Sequence, residues 1–568
     1  MLHDLPTSAQ TTLDWSWERW QPFYAALEAA PIIADPAAWL TAWSRVADLL
    51  AETYTRLSVA TTRDTTDGAA EARYRAFLGD VYPHAMAAEQ ALKRKFLDAG
   101  IAPEGFAVPL RNLRAEVELF REANLPLLTE ERRLGNEYNR IIGAQTIAWA
   151  GRELTIPQTE PLLEEPDRAV REEVWRRAAA RQLADREAIN QLWRQLLALR
   201  RQLAANAGLP DYRAYAWRLR QRFDYTPDDC LRFHEAIEAV VVPAARRVYA
   251  RRAARLGLER LRPWDTHARA PHEAPLRPFR DGAELAERGE AVLMRVDAEL
   301  GSHFATMRRE GFLDLDNRKG KAPGGYCAYF PVAQRPFIFM NAVGLPGDVR
   351  TLLHEAGHAF HDFAMAALPY HQQREAPIEF AEVASMAMEL LAAPYLRRSD
   401  GGYYDEAAYA RARIEHLEGI LTFWPYMAVV DGFQHWAYTN PEAADDPAAC
   451  DAAWDRLWAR FMGGVDWSGL DAERMTGWHR KQHIYRYPFY YVEYGLAQLG
   501  AVQVWRNALS DQAGAVAAYR RALALGGAAT LPDLFQAAGA RFAFDAGALQ
   551  EAVELIEATI GVLEQAAA

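Results

Sequence analysis

Two histidines four residues apart inside an apolar helical pattern constrain this chain more than any other feature. The segment Thr351-Leu352-Leu353-His354-Glu355-Ala356-Gly357-His358-Ala359-Phe360 reads His-Glu-x-x-His. Residues i and i+4 leave the same face of a helix, so His354 and His358 can place two ring nitrogens on one ion. Glu355, beside them, can take a proton from a water that the ion activates. Leu352, Leu353, Ala356, Ala359, Phe360 and Phe363 make this helix largely apolar. The imidazoles are therefore expected to be buried and to need a partner, and a metal is a good one. The chemistry implied is metal-assisted hydrolysis, with a peptide bond as the expected target.

A catalytic zinc needs a third protein ligand and an open position. The run from Ile378 to Glu389 again reads as a buried helix, with Glu379, Glu382 and Glu389 embedded in it. Glu382 lies among small and apolar residues, where an unpaired charge is costly. Glu379, three residues earlier, competes with it. Glu389 shares the face of Glu382 seven residues on, and either orients a ligand imidazole or is an ordinary helical glutamate.

A second dense stretch runs His483-Ile484-Tyr485-Arg486-Tyr487-Pro488-Phe489-Tyr490-Tyr491-Val492-Glu493-Tyr494. Most aromatic stripes are core. Hydrolysis, however, builds negative charge on a carbonyl oxygen, and phenol hydroxyls can stabilise it. Tyr487, Tyr491 and Tyr494 are spaced i, i+4, i+7, so one helix would carry all three on one face.

The rest of the chain supplies the setting. Ala, Leu, Arg and Glu dominate, and apolar residues recur at helical spacing, as in Glu172 to Ala207 and Ala548 to Leu563. Proline-rich stretches, Ile156 to Asp167 and Pro263 to Pro278, interrupt the pattern. A third interruption, Asn317 to Asp348, is glycine-rich and holds the β-like run Pro336 to Met340, so a small sheet is expected before the His-Glu-x-x-His helix. Asp348 is the expected N-cap of that helix. A division into an N-terminal helical region, 1–165, and a catalytic region, 166–568, follows from the first interruption.

The formal net charge of −12 over 568 residues argues against nucleic-acid and anionic-membrane partners. The three cysteines, Cys230, Cys327 and Cys450, are too few and too far apart for a disulfide framework or a thiolate zinc site. With no signal-like start and no apolar span, cytoplasmic residence is expected.

The motifs His354-Glu355-Ala356-Gly357-His358 and Phe380-Ala381-Glu382-Val383-Ala384-Ser385 resemble the M3 family of zinc metallopeptidases, which includes thimet oligopeptidase, neurolysin and oligoendopeptidase F. Glu382 follows His358 by 24 residues, within the family's interval. Pro166 to Arg171, Lys321 to Tyr326 and Pro336 to Gly347 are also similar, so the resemblance covers roughly residues 110–568.

The resemblance implies a mainly α-helical, two-lobed neurolysin-like fold with a deep central channel and a small β-sheet near one zinc ion. It makes His354, His358 and Glu382 the ligands and Glu355 the base. Tyr491 and Tyr494 become the oxyanion and positioning hydroxyls, with His483, Tyr487 and Tyr490 contacting substrate. The choice between Tyr490 and Tyr491 stays open. Glu389 and His361 would stand behind the ligands. The activity implied is zinc-dependent cleavage of internal bonds in short unfolded peptides. A related zinc carboxypeptidase is the alternative, and a metal-stabilised binding protein a more distant one. Oligomeric state is not legible.

Overall fold

The computed structural model describes residues 2–270 and 273–567. It is mainly helical. A hairpin joins β1 (Thr146–Trp149) to β2 (Arg152–Thr155), and a three-stranded sheet is formed by β3 (Leu313–Asp316), β4 (Tyr326–Phe330) and β5 (Arg335–Ala342). Among the described residues no helix is long and apolar enough to cross a membrane.

Buried side chains gather in two large clusters. One takes residues from Leu2 to Leu113 and is centred on Trp20, Trp39, Trp43 and Phe96. The other runs from Leu119 to Ile560 and already includes Leu134 and Tyr138. The long helix Pro36–Arg63 ties the first to the sheet. The Glu52 carboxylate accepts the N–H groups of Val332 (2.7 Å) and Ala333 (2.9 Å), and Arg63 pairs with Asp314 at 3.0 Å.

The helical spacing of Glu172 to Ala207 corresponds to two successive helices, Arg168–Ala184 and Arg186–Asn206. They meet at Asp185, whose carboxylate accepts from Arg181 (2.7 Å) and Gln145 (2.9 Å). Asp348 is not the N-cap. It lies inside the first turn of α1 (Pro346–Met365), where its carboxylate reaches back to the N–H groups of Leu345 (2.8 Å) and Val343 (2.9 Å). It satisfies orphan donors as the acid of a capping box does. The backbone of Phe337 to Asn341 has no free edge to accept an added peptide strand. The sheet order is β3-β5-β4, so β5 is central and both its edges are used. The edge beside α1 belongs to β4.

α1 crosses α2 (Ile378–Leu391) at very close range. A Cβ on Gly357 would lie 2.5 Å from the Ala384 carbonyl oxygen, so only glycine permits this approach. α2 is nearly all buried and also packs against α5 (Tyr491–Ser510). Between α1 and α5 in the chain lie α3 (Glu406–Thr439) and the short α4 (Gln482–Arg486).

Candidate active site

Because α1 and α2 touch at Gly357, the Glu382 carboxylate reaches the two histidines. Its Oε2 lies 3.3 Å from His354 Nε2 and 3.6 Å from His358 Nε2. One ligand atom from each of His354, His358 and Glu382 lies within 4.8 Å of the other two. Two imidazole nitrogens converging on one carboxylate oxygen form a donor set that suits a zinc-sized divalent ion. Each histidine keeps 22 % side-chain exposure, against 6 % for Glu382, so the set opens on one side. Glu379 is turned away, with its carboxylate accepting the Tyr225 hydroxyl at 2.6 Å and facing Arg222 at 3.6 Å.

A supporting layer fixes these groups. His354 Nδ1 meets Glu389 Oε1 at 2.8 Å, and His416 on α3 holds the other oxygen of Glu389 at 3.1 Å. Ser385 and Tyr490 donate hydroxyls to Glu382 at 3.1 Å and 3.0 Å. Burial is the largest single influence and acts against the charges of Glu382 and Glu389, but the hydrogen bonds and charges of the surrounding histidines, His354 and His358 for Glu382 and His354 and His416 for Glu389, together outweigh it and hold both carboxyls near 2. For His354 the same bonds overcome burial and raise the imidazole, whereas burial pushes His358 down to about 4. Glu355 is 6 % exposed, and burial lifts its carboxyl to about 7, close to the working range of a general base.

His361 lies in the packing behind the cluster. Its ring meets Phe380 at 6.0 Å, its Nε2 has no hydrogen-bond partner, and burial pushes it down to about 3.

The tyrosine stretch is not one helix. α4 ends at Arg486, α5 begins at Tyr491, and Tyr487, 42 % exposed, lies in the turn between them. The single face expected for Tyr487, Tyr491 and Tyr494 is therefore absent. Pro488 and Phe489 make the break: Tyr487, before the proline, leaves the helical region (φ −135°, ψ 62°), and Phe489 has a left-handed φ of 61°, uncommon for a non-glycine residue. Gln434 accepts its N–H at 2.7 Å and Arg222 donates to its carbonyl. The turn aims Tyr490 at Glu382 and puts the Tyr494 ring 5.1 Å from that of Tyr490. Tyr491 is 7 % exposed and packs between His483 (4.9 Å), Phe423 (5.6 Å) and Tyr426 (6.0 Å). His483, pushed to about 3 by burial and then by nearby Lys481 and Arg220, is held neutral.

The sequence model of Peptidase family M3 matches residues 161–554, well over half the chain. The chain belongs to peptidase family M3. It is a metallopeptidase by that membership, and its likeness is to the oligoendopeptidase F branch. The solved structure of PZ peptidase A with an inhibitor superimposes with a TM-score of 0.87 at 26 % identity, over 98 % of either chain. Oligoendopeptidase-F from Enterococcus faecium shares the fold, with a TM-score of 0.64 at 16 % identity over 98 % of this chain and 99 % of its own. Oligopeptidase PepF of Bacillus subtilis (strain 168) is 26 % identical over 261 residues, 44 % of this chain and 38 % of PepF. The mainly helical architecture expected from the sequence is thus the one PZ peptidase A has.

Sequence reasoning missed His416, whose partner is far away in the chain, although a histidine at a half-buried position in an apolar helix was a usable signal. It also missed a second cluster. Cys230 and His234 lie four apart on the helix Pro227–Ala236, and Asp431 and His435 lie four apart on α3. Asp431 Oδ2 meets His234 Nε2 at 3.0 Å and His435 Nε2 at 3.2 Å. Ligand atoms of Cys230, Asp431 and His435 lie within 4.8 Å of one another, all buried.

Proposed function

We propose that this M3 peptidase is a zinc-dependent oligoendopeptidase that cuts internal bonds of short unfolded peptides. The observation that carries this reading is the convergence of His354, His358 and Glu382 beside Glu355. When bound, the ion supplies Lewis acidity, making water a nucleophile near neutral pH and polarising the scissile carbonyl.

The protein's own groups do the rest. Glu355, buried and titrating near neutrality, takes the proton of the attacking water and hands it to the leaving amine. Tyr494 and Tyr490 line the wall beside Glu382, and a phenol there donates to the carbonyl oxygen as negative charge develops. Burial, then the charge of Glu382, keeps both phenols protonated and able to donate. Tyr491, packed behind them, positions His483. The peptide backbone pairs along β4, an arrangement that tolerates many sequences. In a division into an N-terminal region of 1–165 and a catalytic region of 166–568, the cluster Leu2 to Leu113 is the part that stands apart, since Leu119, Leu134 and Tyr138 pack into the catalytic core, and the channel implied by the family excludes folded proteins. Cytoplasmic residence suits a protein with three free thiols.

The test is a length-graded peptide mixture plus one folded protein, read by mass spectrometry, with Glu355→Gln in parallel. Internal cuts in the peptides alone, lost in the variant, are expected. Removal of single residues from C-termini would transfer the protein to the carboxypeptidase reading.

A further inference from the structure

Lys481 precedes α4 and is half-buried. Its Nζ lies 3.9 Å from the ring centre of Tyr491 and 5.4 Å from that of Tyr426. Burial alone acts on this ammonium, pushing it down to about 8, with no neighbouring carboxylate to hold it up. Aromatic faces stabilise a cation by roughly 0.5–2 kcal/mol, an incomplete replacement for lost hydration. The site lacks the anion that would complete it, and an ammonium in that state complements a carboxylate brought by a ligand.

Its position says which ligand. The Tyr491 ring touches that of His483 at 4.9 Å, and His483 lies 5.9 Å from the Tyr490 ring, whose hydroxyl bonds Glu382. Lys481 therefore stands on the same tyrosine wall as the candidate metal ligand, a few ring widths away. Tyr426, the second ring under the ammonium, also walls a cavity of about 780 Å³ with Phe423, Trp454, Trp458 and Arg480. That volume lies in the range of ligand-binding cavities. An extended peptide advances about 3.4 Å per residue, so this wall is reached within a few residues of the cut bond.

We propose that Lys481 binds a carboxylate of the substrate peptide, holding it against the Tyr491 ring within a few residues of the scissile bond. The inference rests on the peptidase reading above. Its chemistry fits either the peptide's C-terminal carboxylate or an aspartate or glutamate side chain. If the terminus is bound, cuts fall at a constant distance from the C-terminus whatever the peptide length.

The experiment compares matched peptides as free acid and C-terminal amide, and amidated peptides carrying Glu or Gln at each position near the cut. The readout is the acid-to-neutral ratio of kcat/KM, which a general loss of activity does not move. A charge-assisted hydrogen bond predicts a ratio of about 10 or more in the wild type, carried by KM. Lys481→Gln should bring it to about 1, and Lys481→Arg should keep several-fold, on the order of half the original effect in free energy. A response to the terminus alone, or to the side chain alone, identifies the source of the carboxylate. Ratios near 1 in the wild type for both series, or a ratio unchanged in Lys481→Gln, would overturn the proposal while leaving the peptidase reading intact. Calorimetric binding of the same pairs to Glu355→Gln reports the preference without turnover. A protein that cuts no peptide would thus sink the peptidase reading, and the binding ratio would still decide whether Lys481 holds a carboxylate.

Discussion

The His354–His358–Glu382 cluster and the His234–Asp431–His435 cluster are assembled alike, with two imidazoles meeting one carboxylate oxygen between two helices. In the first the oxygen-to-nitrogen distances are 3.3 and 3.6 Å, and in the second 3.0 and 3.2 Å. They differ in access. The first pair of histidines keeps 22 % side-chain exposure each, the second only 4 % and 5 % around a fully buried Asp431. The first also has Glu355 alongside. Donor chemistry alone therefore does not make a hydrolytic centre. An open face and a neighbouring base are what the proposed function requires in addition, whereas in the sealed cluster His234 joins Asp431 across two helices and His435 lies one turn from Asp431 on the same helix.

The largest effect should come from removing what the open cluster has and the sealed one lacks. Glu355→Gln should lower kcat/KM by about 10³-fold with metal content and thermal midpoint kept. Metal analysis beside the kinetics checks this, and a variant that loses metal or unfolds would blur the contrast. Asp431→Asn should do the reverse. Leaving two buried imidazoles without their acid should destabilise the fold by about 3 kcal/mol, read from urea unfolding. Cleavage per folded molecule at low temperature should stay unchanged; an activity loss at full stability would break the comparison. Glu389→Gln weakens the orientation of His354 and should reduce metal affinity by about 10- to 100-fold, measured by chelator competition.

The smallest effect is one of pH. Burial depresses His435, so below its unfolded value near 6.5 the unfolded chain binds a proton that the native state refuses. Stability should then fall as pH falls below about 6.5. Asp431, also depressed because burial is outweighed by both histidines, adds a loss of the same sign at pH values below the ordinary carboxylate range. The urea midpoint between pH 7.5 and 5 checks this. The decline should be shallower in His435→Gln by up to about 1.4 kcal/mol per pH unit.

What the sequence made legible was local. His354, Glu355 and His358 lie within one helical turn, so periodicity alone places them together. Choosing Glu382 over Glu379 needed the family pattern, because the physical reason is the contact of Gly357 with Ala384, which no spacing displays. The central place of β5 was hidden because its second partner, β3, comes from before the glycine-rich loop. Pro488 signalled the break in the tyrosine stretch, but the left-handed turn at Phe489 was hidden, because Gln434 and Arg222, which hold it, are far off in the chain. Lys481 and the sealed cluster were overlooked for the same reason: each is defined by what surrounds it.

The glycine contact between α1 and α2 gives the metal centre a mechanical character. The histidines ride on one rod and the glutamate on another, and the rods are packed to contact at Gly357. An ion that leaves through the open face leaves the two rods in contact, so the empty cluster should keep its geometry. Metal loss and rebinding should then carry the shallow temperature dependence of ligand exchange instead of the steep one of a local unfolding event.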